Sequence, residues 1–203
     1  MKAIALRRRC NNSIHPALRP AFTLLELMVV VVIAGTMMAI AIPRVDTSKY
    51  RADAVVQIVR TTLQNASRTA VTQQHDMIVS FDTVGQNIRI VSDTNNNATI
   101  DPGERVTHRS LDQGILFTDP SVTGVGGASV SAPITGSAIK IMDGMPTLTF
   151  HRDGSVSSDA EIYVSIPAHG PKLYRALVLT QATGRIDWYR LNTSTNKWVL
   201  AGL

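Results

Sequence analysis

The sequence predicts an α+β chain: a long N-terminal helix, membrane-spanning in its first half, packed on antiparallel β-sheets. Three observations carry this. Residues 22–42 form an apolar run holding a single charge, Glu26. Apolar residues then recur at three- and four-residue intervals between Ala52 and Val71, the period of one helix face. From residue 76 the period falls to two, in short runs separated by Gly, Asp, Asn and Pro, which reads as strands and turns. The chain divides accordingly into a basic leader (1–21), a helical region (22–74) and a β-rich domain (75–203).

The leader holds Lys2, Arg7, Arg8, Arg9 and Arg19 and no acidic residue. These are five of the chain's 20 Lys and Arg, so the remaining 15 balance its 15 Asp and Glu. The net charge of +5 therefore belongs to the leader, and the body gives no sign of a general nucleic-acid-binding surface. Cys10 is the one cysteine, which excludes an intramolecular disulfide and any cysteine-based metal site.

As a helix, residues 22–42 would reach about 32 Å, close to the ~30 Å hydrocarbon core of a bilayer. The arginines on the N-terminal side place that end in the cytoplasm and the body across the membrane. A carboxylate in such a run costs about 2.5–3.5 kcal/mol at mid-bilayer, which makes Glu26 a functional suspect. The residues alone leave three readings open. One is a cleaved export signal ending at Ala39-Ile40-Ala41, and a second is a simple anchor.

The third rests on a resemblance. Ala21-Phe22-Thr23-Leu24-Leu25-Glu26-Leu27 resembles the processing site of type IV pilins and pseudopilins, with Ala21 where that family has glycine. The resemblance implies cleavage between Ala21 and Phe22 by a prepilin peptidase and methylation of Phe22 by its N-methyltransferase activity. It implies that Glu26 neutralises the new α-amine, on its own chain or a neighbour's, and that Pro43 marks the family's helix kink. Proline has no N–H to donate there. Gly35, Thr36, Ala39 and Ala41 are small enough to let helices approach closely. The expected location is a single-pass inner-membrane protein with a cytoplasmic N-terminus and a periplasmic domain, which then enters a filament with other pilins or pseudopilins.

The second helix is expected to end near Gln74, with Ala52, Val55, Val56, Ile58, Val59, Leu63, Ala66, Ala70 and Val71 inward. Arg51, Asp53, Gln57, Arg60, Gln64 and Arg68 are expected on the outer side. Strands are expected at 76–82, 86–92, 105–111, 138–142, 147–151, 161–166, 173–180, 185–191 and 197–200. Residues 119–137, rich in Gly, Ser, Ala and Thr, read as a long flexible loop. Phe150-His151-Arg152-Asp153-Gly154-Ser155 resembles the F-x-x-x-G turn of the GspH/FimT group. Leu177–Thr180 with Thr183-Gly184-Arg185-Ile186 resembles that group's closing hairpin. The group comprises minor pseudopilins of type II secretion and minor type IV pilins, and the resemblance implies a pilin-like fold and a structural role in a filament.

Two local patterns invite ligands. Asp93, Asn95, Asn97, Thr99, Asp101 and Glu104 match positions one, three, five, seven, nine and twelve of a calcium loop, Thr99 through its carbonyl. Ala98 stands where that loop has its turn glycine, so a solvated turn is the competing reading. One branch of the GspH/FimT group is associated with DNA uptake through a basic C-terminal patch, and Arg185, Trp188 and Arg190 are its counterparts here. Asp187 beside Arg185 and the neutral body argue against DNA, and a structural hairpin is the competing reading. No P-loop, H-E-x-x-H or G-x-S-x-G occurs, and the five histidines show no ligand spacing. His75-Asp76 reads as a helix-end pair, and the chain reads as a non-enzyme that requires no cofactor.

Overall fold

The computed structural model describes residues 22–41, 48–111, 114–166 and 173–201. The chain separates into two compact units, residues 1–45 and 46–203. The first contains α1 (Leu24–Ala41, 18 residues), which is apolar around its circumference apart from Glu26 and Thr36. At about 1.5 Å per residue α1 is some 27 Å long. Among the described residues no helix is long and apolar enough to cross a membrane. Ala21, Pro43 and the leader lie outside the described residues.

The second unit opens with α2 (Ser48–Gln73), whose buried residues are Ala52, Val55, Val56, Val59, Thr62, Leu63, Ala66 and Ala70. This is the expected stripe with two corrections. Ile58 and Val71 are largely exposed, and Thr62 takes an inward place because its hydroxyl donates to the Ile58 carbonyl at 2.8 Å. A hydroxyl satisfied within its own helix can be buried at little cost.

Eleven strands follow among the described residues: β1 (Asp76–Asp82), β2 (Asn87–Asp93), β3 (Arg105–Ser110), β4 (Leu116–Phe117), β5 (Ile134–Gly136), β6 (Lys140–Met142), β7 (Met145–Phe150), β8 (Ala160–Ile166), β9 (Leu173–Thr180), β10 (Arg185–Asn192) and β11 (Lys197–Leu200). They form two antiparallel sheets, ordered β3-β2-β1-β7-β6 and β11-β10-β9-β8-β4, with β5 also paired to β8. The expected α+β class is the observed one.

Helix α2 touches β1 and β7 of the first sheet and β8, β9 and β10 of the second. Both sheets therefore bury their inner faces against one helix. Val56, Val59 and Leu63 meet Phe81, Leu148 and Phe150 from one side and Ile162, Leu177, Leu179 and Trp188 from the other in a single core. Burying one such aliphatic side chain is worth about 1.5–3 kcal/mol.

The two stretches that resemble the GspH/FimT group meet in space. Gly154 and Gly184 both have positive φ, 88° and 61°. A Cβ on Gly184 would stand 2.5 Å from the Gly154 carbonyl oxygen, so only glycine fits there. Val156 N–H donates to the Gln181 carbonyl at 2.8 Å and fastens the turn to the hairpin.

Residues 119–137 are a correction. They are not a free loop but a strap over the outer face of the second sheet. β5 pairs with β8, Gly126 N–H donates to Glu161 Oε1 at 2.7 Å, and Trp198 Nε1–H donates to the Thr123 carbonyl at 2.8 Å. Tyr163, fully buried beneath the strap, donates its hydroxyl to Glu161. Burial first, and that bond second, push its phenol well above the usual range. The groups that order the strap lie outside it in sequence, which is why its composition misleads.

Candidate functional site

The sequence points to three places: the start of α1 in the first unit, and the 93–104 loop and strand β10 in the second.

At the start of α1, Thr23 is the N-cap. Its Oγ1 accepts the Glu26 N–H at 3.2 Å, and its carbonyl accepts the Leu27 N–H at 3.2 Å. The first bond satisfies one of the amide donors that a helix start otherwise leaves unbonded, and the second is the first bond of the helix ladder. The capping role of Thr23 is not among the sequence expectations, although Thr23-x-x-Glu26 has capping-box spacing. Glu26 lies in the first turn, where a negative charge suits the positive end of the helix dipole. Its carboxylate has no hydrogen-bond or ion-pair partner among the described residues. Phe22 is 80% exposed and Leu24 78%. Among the described residues, and apart from the backbone of its own helix, nothing lies within 4 Å of where a Gly35 side chain would begin. Thr36 returns its hydroxyl to the Ile33 carbonyl at 2.9 Å and so presents little polarity. The side chains of Ala39 and Ala41 lie outside the described residues.

The 93–104 loop does bring its six residues together. Asp93 accepts N–H bonds from Asn97 and Ala98, at 3.2 and 2.7 Å. Glu104 accepts those of Thr94 and Asp101, both at 3.1 Å. The Asn95 and Asn97 amides donate to Asp101 Oδ2 at 2.8 and 2.7 Å and hold that carboxyl below its ordinary range. Asn97 Oδ1 is occupied by Thr99. Ala98 holds the left-handed turn in place of glycine, at φ 58°. As arranged, these donors do not form a cation cage, since amide N–H groups point at Asp101 where a cation needs oxygen. Among the described residues no group of three or more His, Cys, Asp or Glu side chains is placed to hold a metal.

The loop is also tied to the start of the sheet. Asn96 Oδ1 accepts the Asp76 N–H at 2.7 Å, and Asp76 in turn holds His151 Nδ1 at 2.7 Å. The expected His75-Asp76 pair is thus divided. His75 Nδ1 is buried with no hydrogen-bond partner among the described residues, and Asp76 serves the Phe150–Gly154 turn.

On β10, Arg185 and Asp187 pair with each other at 3.0 Å. Trp188 points the other way into the core and is 4% exposed. Arg190 lies over the Trp188 ring, 5.0 Å from its centre, and reaches Asp53 of α2 at 2.8 Å. The three residues therefore do not share a face, and each has a structural task. Asp53, which the helical pattern put on the outer side, also binds the buried Arg175 at 2.8 Å. Arg175 and Arg190 stand directly opposite each other on β9 and β10, and one carboxylate between them offsets their repulsion.

A family model for the prokaryotic N-terminal methylation motif matches residues 19–42, which brackets the capped helix start and Glu26. This is a type IV pilin-like N-terminus. Segments of this kind are processed by a prepilin peptidase, and proteins that carry them are anchored in the inner membrane and then assembled into filaments. No curated protein matches the chain. Among solved structures, two of the minor pseudopilin EpsH from the type 2 secretion system of Vibrio cholerae are similar to it. The first is 13% identical and covers 68% of this chain and 95% of its own, with a TM-score of 0.45. The second is 15% identical and covers 69% and 94%, with a TM-score of 0.44.

Proposed function

We propose that this pilin-like chain is a minor pseudopilin of GspH/FimT type, a non-enzymatic structural subunit of the type II secretion pseudopilus. The observation that carries the reading is the methylation motif on a helix that is apolar all round and has one acid, Glu26, in its first turn. Cleavage after Ala21 would create an α-amine on Phe22, four residues from that carboxylate. Pairing the two offsets the cost of keeping each charge at the membrane, and pairing between neighbours sets the subunits in register. The apolar helix then forms the filament core, with Gly35 at a close contact, and the β domain faces outward. The partners are other pseudopilins.

The test is cross-linking in cells that carry the secretion machinery. The chain is expected to cross-link to the other pseudopilins. Glu26→Ala is expected to be processed and membrane-bound but absent from those adducts. Adducts with pilus subunits alone would favour the second reading, a minor type IV pilin, which the same N-terminal segment supports equally. That second reading covers assembly, adhesion or DNA uptake at the pilus tip, and DNA is its least favoured task, since Asp187 pairs Arg185 and Trp188 is in the core. The 93–104 spacing carries a separate calcium proposal, which needs the Asn95 and Asn97 amides to turn their oxygens inward. A rise in melting temperature with added calcium that Glu104→Gln abolishes would support it, and an unchanged melting temperature removes it.

A further inference from the structure

We propose that the groove between α2 and β3 docks an extended, acidic segment of a partner polypeptide, which adds to the sheet as a strand beside β3. β3 is the edge of the first sheet, and all six of its residues are exposed. Leu111 N–H donates to the Gln86 carbonyl at 3.0 Å, which fixes the phase of the β2–β3 ladder. By the alternation of antiparallel pairs, Arg105, Thr107 and Arg109 bond to β2, while Val106, His108 and Ser110 turn their N–H and C=O groups outward. Such a row is a template for another strand.

The side chains say which strand. Arg105, Thr107 and Arg109 face the groove, a cavity of about 280 Å³ whose apolar floor includes Ala66, Met77 and Ile90. Arg109 also lines the adjoining cavity of about 400 Å³, which reaches the exposed Ile58. Among the described residues no acidic one lines either cavity. Neither Arg105 nor Arg109 makes an ion pair or side-chain hydrogen bond among the described residues, whereas Arg89, Arg175, Arg185 and Arg190 are all paired. Two arginines four residues apart on one face of a strand call for carboxylates at the same spacing opposite them. A second copy of β3 would set arginine against arginine, so the occupant is another polypeptide with acidic residues at i and i+4. This inference is independent of N-terminal processing.

The probe is a fluorescent peptide, Thr-Glu-Val-Thr-Val-Glu-Thr, titrated by anisotropy against the full chain in detergent micelles. The acidic peptide is expected to bind and its lysine-for-glutamate counterpart to fail. Arg105→Ala or Arg109→Ala is expected to weaken binding about tenfold, the loss of one charge-assisted contact. Arg105→Glu with Arg109→Glu is expected to reverse the preference. N-methylating alternate amides of the peptide tests the ladder from the ligand side, and methylation of the set that faces β3 is expected to abolish binding. His108→Pro removes one outward N–H and should act likewise, with circular dichroism as its folding control. Absence of binding overturns the proposal. So does binding indifferent to both N-methylation and His108→Pro, or a single-stranded DNA oligonucleotide that binds equally under those changes, since either would mean simple anion capture.

Discussion

Helices α1 and α2 follow each other in the chain and obey opposite rules. α1 is apolar around its circumference and its described side chains are exposed, so nothing in its own unit accounts for its composition. α2 is amphipathic, and its stripe is buried between two sheets. The acids differ in the same way. Glu26 has no partner among the described residues, whereas Asp53 holds two arginines at once. A helix that is hydrophobic all round needs lipid or other helices to cover it. α1 calls for lipid or other helices around it, and α2 is packed within the folded body.

Substitutions can break or sharpen that contrast. The largest effect on stability is expected from Leu63→Ala, at the fully buried centre of α2, which should cost about 4 kcal/mol in chemical denaturation. Asp53→Ala follows, at about 3 kcal/mol, because it leaves Arg175 buried and opposed to Arg190; a loss below 1 kcal/mol would remove the bridging role. Ala98→Gly should stabilise the body by about 0.5–1 kcal/mol, since the relief of left-handed strain outweighs glycine's extra chain entropy. Glu26→Ala is the smallest. Stability of the body should change by no more than about 0.5 kcal/mol, while incorporation into a filament is lost. If Glu26→Ala also unfolds the body, the two helices are not separate devices.

Much of this was legible because the signals are local. The stripe of α2 and nine of the strands follow from residue periodicity, and the helix start from one short motif. What escaped depends on distant partners. Asp53 looks like a solvent-facing residue of α2 until β9 and β10 bring Arg175 and Arg190 to it. β5 is three residues in a segment of loop-like composition, and the strap is held by Glu161, Tyr163 and Trp198. β4 has only two residues, too few to show a period. Arg185, Trp188 and Arg190 are adjacent in sequence, but strand alternation sends Arg185 to the face opposite the other two. At the 93–104 loop the spacing matches a calcium loop, but spacing does not disclose that the asparagine amides turn their N–H groups to Asp101.

The central claim is that the mature chain begins two residues before α1, at a processed, methylated Phe22 whose amine is the partner of Glu26. The direct measurement is mass spectrometry of the mature N-terminus, from cells that contain the prepilin peptidase. The account predicts a chain starting at N-methyl-Phe22, with Glu26 as its fifth residue. A chain that starts at Ile42, cut after Ala41 and stripped of α1, or one that retains the leader, would contradict it.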